Sequence, residues 1–127
     1  MKDEPMLLPE DFVVNPSRPI YEQFVEQITA RIVRGLLPTG LRLPSVRDFA
    51  AGRRVNPTTA ARTYQELERM GLIVTYRGQG TFVTNEEAMI LEARKVMAKE
   101  AVQQFKEMAI SIGLSVQEMI ELAEQEE

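Results

Sequence analysis

The dipeptide Asn56-Pro57 marks the start of a helix and is the strongest local constraint in the chain. Asn is a good N-cap because its side-chain oxygen accepts an unpaired backbone N–H, and proline suits the first helical position, where no N–H is needed. The residues that follow predict a helix from about Thr58 to Met70, which Gly71 ends. Four residues at helical spacing share the face expected to be buried: Ala60, Thr63, Tyr64 and Leu67.

The segments around this helix predict a mostly α fold with one small β-hairpin. A first helix starts near Arg18 and ends at Gly35, and a short second helix follows Ser45 and stops near Gly52. Strands over residues 72–76 and 81–84 flank a glycine-containing turn. The fold class is therefore a winged helix-turn-helix domain followed by a C-terminal helical hairpin. The predicted divisions are an N-terminal arm over 1–15, the winged domain over 16–84 and a helical tail over 85–127.

Charge is divided unevenly along the chain. The formal net charge of −4 argues against nucleic acid if the chain is taken as a whole. Residues 16–83, however, hold ten Arg and five acidic residues, whereas residues 1–15 and 84–127 are both acidic. Arg is the side chain suited to phosphates and guanine edges. The asymmetry favours a nucleic-acid face in the middle segment, with chance variation among small domains as the alternative.

The absence of Cys and His narrows the possible functions. Disulfides and thiolate metal sites are excluded, and the commonest general base and metal ligand is missing. No motif arranges carboxylate or Ser/Lys chemistry, so an enzyme is not predicted and no cofactor or metal is expected. The sequence lacks both a long apolar run and a signal pattern, which predicts a cytoplasmic protein without a membrane partner.

Two helices joined by a short turn and followed by a hairpin form a DNA-docking geometry, in which the second helix enters the major groove. The outer face of the helix after Asn56-Pro57 carries Thr58, Thr59 and Arg62. Threonine can contact phosphates or a thymine methyl, and arginine can bind guanine with two hydrogen bonds. These three residues are the candidate readers of double-stranded DNA.

The hairpin and the short second helix add weaker candidates. Arg77 and Gln79 flank the turn, and Gly80 follows. A glycine-rich tip allows close approach to a groove, and the minor groove attracts arginine, although most such hairpins are plain turns. Arg47 can hold a phosphate or remain a solvated surface charge.

Three linked motifs, LRLPSVRDFA, VNPTTAARTYQELERMGLI and RGQGTFV, follow the lead-in SRPIYEQFVEQI. Together they resemble the DNA-binding domain of the GntR family of regulators over about residues 16–83. The NP pair, Tyr64 and the short tail are similar to the YtrA-like branch, which lacks a large effector-binding domain. The resemblance implies a dimeric transcription repressor on a palindromic operator, with an adjacent ABC-transporter operon as its target. The positions that match the family's DNA-contacting pattern are Arg47, Thr58, Thr59, Arg62 and Gly80, with Gln79 beside Gly80.

The sequence also departs from the family pattern. Pro57 and Ala61 stand where many members have arginine, so the base preference is expected to differ. Arg54 stands where a glycine is usual, which leaves the geometry of the turn between the two helices open. Arg53 and Arg54 add either phosphate contacts or solvated charges.

The tail predicts a long helix over about 86–112 and a last helix capped by Ser115. An apolar stripe on the long helix must be covered, either by the winged domain or by a second copy. A two-helix hairpin is too small to bury the stripe alone, which favours a homodimer. The tail is also too short to predict a roomy effector pocket, so a small-molecule effector is left open. The predicted dimer-interface residues are Leu91, Ala98, Val102, Phe105, Ala109 and Ile112.

A second function class uses the same fold without DNA. A winged-helix protein–protein interaction module is expected to present an apolar groove face on the helix over 57–70. That helix instead presents threonine and arginine opposite its buried face, which favours DNA.

Overall fold

The computed structural model describes residues 6–126. It contains five helices and three short strands within that range, and the predicted winged helix-turn-helix class is confirmed. The elements in chain order are α1 (Ile20–Val33), β1 (Arg42–Leu43), α2 (Val46–Arg53), α3 (Pro57–Arg69), β2 (Ile73–Tyr76), β3 (Gly80–Val83), α4 (Glu87–Ser111) and α5 (Val116–Ala123).

The three strands form one antiparallel sheet in the order β1-β3-β2. The register pairs Leu43 with Thr81 and Ile73 with Val83. Because side chains alternate across a strand, these residues lie on the inner face, where Leu43, Ile73 and Val83 are buried. The β2–β3 hairpin is the wing, and β1 fixes it to the segment that leads into α2.

The core lies between α1, α2, α3 and the inner face of the sheet. A row of four aromatic rings runs through it. The distances between neighbouring ring centroids are 6.1 Å for Phe12–Phe24, 5.3 Å for Phe24–Phe49 and 5.6 Å for Phe49–Tyr64. Such contacts fix ring orientation as well as burying area. The row joins all three helices, so α3 has a defined orientation relative to α1 and α2.

The N-terminal segment contributes to this core, which the sequence pattern did not predict. Leu7 and Leu8 are buried, the latter only 2% exposed, and Phe12 packs against Phe24. Residues 1–5 of the predicted arm lie outside the described range.

The chain divides into two compact units, of which the first ends at Ala93 and the second begins at Arg94. In the first unit the start of α4 belongs to the core, since Ala93 is buried and Ile90 packs against it. In the second unit α4 ends before Gly113, which has a φ of 76°. The cap predicted for the last helix is present, as a capping box: the Ser115 hydroxyl accepts the N–H of Glu118, whose carboxylate accepts the N–H of Ser115.

Candidate nucleic-acid interface

The helix-turn-helix is held together by capped helix starts. The Ser45 hydroxyl accepts the N–H of Asp48 at 3.0 Å at the start of α2. The Asn56 side chain accepts the N–H of Thr58 at 2.7 Å at the start of α3. Each cap satisfies an N–H that has no partner within its helix. Both helix starts are therefore capped, and the cap predicted for Asn56 is confirmed.

Tyr64 ties α3 to the segment before α2. Its hydroxyl donates to the carbonyl oxygen of Pro44 at 2.6 Å, and its ring is buried. Burial raises the pKa of Tyr64, and the negative charge of Asp48 raises it further. The hydroxyl therefore stays protonated and donates this bond across the physiological pH range.

The two faces of α3 differ as predicted. Its inner face is buried, and Thr63 there satisfies its hydroxyl by donating to the carbonyl oxygen of Thr59 at 2.9 Å. On the opposite side Thr58 and Arg62 are exposed and Thr59 is half-buried. Because Thr58 and Thr59 have short side chains, a DNA strand can approach the start of the helix closely. This exposed start is the centre of the candidate interface.

Arg62 is held by an aromatic ring. Its guanidinium carbon lies 4.0 Å from the centroid of the Tyr21 ring, which comes from α1. A cation at this distance is attracted by the ring electrons, and the flat guanidinium keeps its edge available for hydrogen bonds. The side chain of Arg62 is therefore oriented before any DNA arrives.

The turn between α2 and α3 has an unusual backbone. Arg54 follows α2 in the left-handed region, with φ 55° and ψ 44°, and is the only non-glycine residue with positive φ among residues 6–126. The N–H of Arg54 donates to Ala51 and that of Val55 to Ala50, which closes the end of α2. The turn thus keeps the geometry that a glycine would adopt, although arginine occupies the position. The exposed Arg54 side chain stays a predicted phosphate contact.

Arg53 has a partner within the protein. Its guanidinium donates to the carbonyl oxygen of Pro9, so it fastens the N-terminal segment to the end of α2. Arg31 does the same from α1, with two hydrogen bonds to the carbonyl oxygen of Met6 at 2.9 and 3.1 Å. The predicted phosphate contact of Arg53 stays a prediction, and the structure adds this fastening role. Neither contact could be predicted from the sequence, because backbone carbonyls leave no signal in the residue pattern.

The wing presents a narrow polar tip. The N–H of Gln79 donates to the carbonyl of Tyr76 at 2.9 Å, and Gly78 between them has a φ of 78°. Arg77 and Gln79 are exposed. Gly80 has a φ of 121° and begins β3. The structure therefore brings the three predicted wing residues to one loop.

The ten arginines of residues 16–83 fall into four groups. Arg18 and Arg69 form ion pairs with glutamates, and Arg31 and Arg53 donate to backbone carbonyls. Arg62 stacks on Tyr21. The side chains of the other five form no hydrogen bond or ion pair with any residue that the structure describes: Arg34, Arg42, Arg47, Arg54 and Arg77. Three of these five, Arg47, Arg54 and Arg77, were predicted from the sequence as DNA contacts.

The predicted dimer stripe is mostly uncovered in the single chain. Leu91, Val102 and Ile112 are 51%, 50% and 56% exposed, and Ala98 is exposed as well. Phe105 is half-buried, and Ala109 is only 1% exposed. Ala109 is therefore already covered within one chain, whereas the large aliphatic members remain accessible.

No helix within residues 6–126 is long and apolar enough to cross a membrane.

Comparison with known proteins shows a consistent set of relatives. The model of the family described as bacterial regulatory proteins, gntR family, matches residues 20–83. The HTH-type transcriptional regulator YhcF of Bacillus subtilis is 42% identical over 83% of this chain and 87% of its own length. The HTH-type transcriptional repressor YtrA of the same organism is 40% identical over 69% of this chain and 68% of its own.

Solved structures agree with the sequence relatives. A GntR family transcriptional regulator from Listeria monocytogenes superposes with a TM-score of 0.80 at 34% identity. The match covers 90% of this chain and all of that one. These relatives are transcription regulators and not enzymes.

Proposed function

Because the chain belongs to the gntR family of bacterial regulatory proteins and is a DNA-binding transcription regulator, we propose that it is a repressor that binds a palindromic operator as a homodimer. The B. subtilis relative YtrA is a transcriptional repressor, which supports the direction of control. Since the proposed repressor acts on genomic DNA, we infer that it works in the cytoplasm. The resemblance to the YtrA-like branch supports an adjacent ABC-transporter operon as the target.

The exposed start of α3 carries this proposal. Thr58 and Thr59 lie at the first turn, and Arg62 lies one turn later on the stacked ring of Tyr21. In a helix-turn-helix the N-terminal residues of the second helix contact base edges. We assign the reading of base edges to Arg62 and close contact with the DNA backbone to the two threonines.

Phosphate contacts surround this centre. Arg47 in α2 and Arg54 in the turn are exposed, and neither has a carboxylate partner among the described residues. Arg77 and Gln79 are exposed at the wing tip and are proposed to add contacts there. Phosphate contacts set position and affinity, whereas contacts to base edges set specificity. The proposed interface therefore assigns base reading to Arg62 and phosphate contacts to the residues around it.

The tail supplies the proposed dimer contact. Leu91, Val102 and Ile112 are at least half exposed, and exposed aliphatic side chains at heptad spacing are typical of a helix that meets another helix. A two-fold pair would place two α3 helices about one DNA turn apart, which matches a palindrome. The acidic charge of residues 84–127 is suited to a surface that faces away from DNA.

Capture of genomic DNA tests the proposal. The full chain, carrying an affinity tag, is incubated with sheared genomic DNA at low and at physiological salt, and the bound fragments are sequenced. We expect one or a few sites with two-fold symmetry, two chains bound per site, and an affinity that falls steeply with salt. Enrichment without symmetry, or one chain per site, would contradict the dimeric operator complex.

A further inference from the structure

We propose that Arg42 of β1 is a further DNA-backbone contact, positioned beside the wing tip because Gly80 has no side chain. The resemblance to the family did not single out Arg42. The inference rests on the proposed function, since it adds a phosphate contact to the same DNA complex.

The sheet register places Arg42 on the outer face of the wing. Arg42 pairs with Phe82 and Tyr76 pairs with Gly80, whereas the neighbouring Leu43 is buried on the inner face. Residues on one face of a sheet contact their diagonal neighbours on the next strand. The Arg42 side chain follows this diagonal toward the wing tip and ends over Gly80.

Gly80 makes room for the guanidinium. A Cβ at Gly80 would lie 2.9 Å from Nε of Arg42 and 3.2 Å from Nη2, both closer than an ordinary contact. Gly80 also has a φ of 121°, which an L side chain rarely adopts. The glycine therefore serves two purposes: it adopts the backbone conformation that the wing requires, and it leaves space for the Arg42 guanidinium.

The charge of Arg42 is not neutralised by the residues that the structure describes. Arg42 is exposed and forms no ion pair or hydrogen bond with them. Arg69 differs, because its Nη2 lies 2.8 Å from the Glu66 carboxylate. Arg42 is thus a positioned guanidinium whose donors are available, and a phosphate suits it because the charged fork binds two oxygens.

The neighbours of Arg42 favour a nucleic-acid backbone over a small anion. Tyr76 is 50% exposed beside Gly80, and its ring packs against Phe82 at a centroid distance of 5.9 Å. A cationic group next to an exposed ring suits the alternation of phosphate and deoxyribose along one strand. The predicted tip contacts Arg77 and Gln79 continue the same edge.

Salt-dependent DNA binding tests the inference with a matched pair of variants. R42Q and R69Q each remove one guanidinium, and Arg69 already has its carboxylate partner. We expect R42Q to weaken binding about tenfold on operator and random duplex alike and to lower the slope of log K against log salt by about 1. R42K should retain part of the slope. R69Q should leave the slope as in the unchanged chain.

A double-mutant cycle tests the role of Gly80. G80A should displace Arg42, so adding R42Q to it should cost little more. G78A is the control, because Gly78 also has positive φ but nothing lies within 4 Å of its added Cβ, and there the R42Q loss should appear in full. An unchanged slope in R42Q, with thermal stability intact, would overturn the Arg42 contact and leave the proposed function standing. Failure of the unchanged chain to bind any duplex would instead overturn the proposed function.

Discussion

The guanidinium of Arg62 in α3 lies 4.0 Å above the centre of the Tyr21 ring in α1. The contact joins α3, the helix proposed to read DNA, to a helix that belongs to the body of the domain. An exposed arginine otherwise loses side-chain entropy when it binds a base, and a ring that restricts it beforehand lowers this cost. We therefore propose that Tyr21 is a positioning residue that acts through Arg62.

Replacing Tyr21 by leucine should reduce specificity more than affinity for random DNA. Without the ring, Arg62 samples more rotamers and loses part of its selective contact. We expect Y21L to weaken operator binding by roughly 0.5–2 kcal/mol and to change random-duplex binding little. Competition anisotropy with both duplexes measures the ratio of the two affinities.

Y21F is the matched control for that ratio, because phenylalanine keeps the aromatic face under Arg62. Its operator-to-random ratio should stay close to that of the unchanged chain. Equal losses in Y21F and Y21L would assign the effect to the Tyr21 hydroxyl, and no loss in Y21L would remove the positioning role.

Replacing Arg54 by glycine should stabilise the domain. A left-handed backbone costs a non-glycine residue energy that glycine avoids, partly offset by the greater freedom of glycine when unfolded. We expect R54G to raise the free energy of unfolding by about 0.5–1 kcal/mol, as measured by chemical denaturation. R54A, which keeps the strain, should bring no such gain. Destabilisation by R54G would mean that the Arg54 side chain stabilises the folded turn.

A charge in the tail stripe should dissociate the proposed dimer. Val102 is half exposed in the single chain and would be buried between two copies, where an unpaired carboxylate is unfavourable. We expect V102E to raise the dimer dissociation constant at least ~10-fold, as measured by sedimentation equilibrium.

Q104E adds the same charge at a position outside the predicted stripe and is the control for V102E. It should dimerise like the unchanged chain. A V102E protein that remained fully dimeric at the same concentrations would place the dimer contact elsewhere.

Acidification should loosen the start of α5. Hydrogen bonds from the backbone N–H and the side chain of Ser115 hold the pKa of Glu118 below its usual range. A carboxyl with a lowered folded pKa stabilises above its unfolded pKa, and this stabilisation is lost as pH falls through the folded pKa. NMR titration from about pH 6 to about pH 3 should show the Ser115 amide signal moving with the Glu118 carboxyl. In the E118Q control that movement should disappear. In the unchanged chain, a Glu118 pKa at or above the usual glutamate range would contradict the capping box.

The order and approximate bounds of the helices and strands in the winged domain could be predicted from the sequence, because the signals that set them are local. The start of α3 follows from the backbone requirements of Asn56 and Pro57, and its end from those of Gly71. Its buried face follows from the helical spacing of Ala60, Tyr64 and Leu67. The predicted wing residues also meet at one tip, since a short hairpin leaves them no other arrangement.

Contacts between distant elements could not be predicted in the same way. Leu7 and Leu8 lack periodicity, so their burial depends on the surface that α1 and α2 form together. Two arginine contacts also depend on tertiary geometry. One is the hydrogen bond from Arg53 to the Pro9 carbonyl, and the other is the position of the Arg42 guanidinium over Gly80. Charge and residue type identify arginines that can bind phosphate, but only the fold shows which ones already have partners.

The most direct measurement is the affinity of the unchanged chain and of R62A for a captured operator fragment and for a random duplex at the same salt. If the outer face of α3 reads base edges, R62A should lose roughly 1–3 kcal/mol on the operator and far less on random DNA. Equal losses on both duplexes would reduce Arg62 to a phosphate contact. Failure of the unchanged chain to bind any genomic fragment at low ionic strength would contradict the account as a whole.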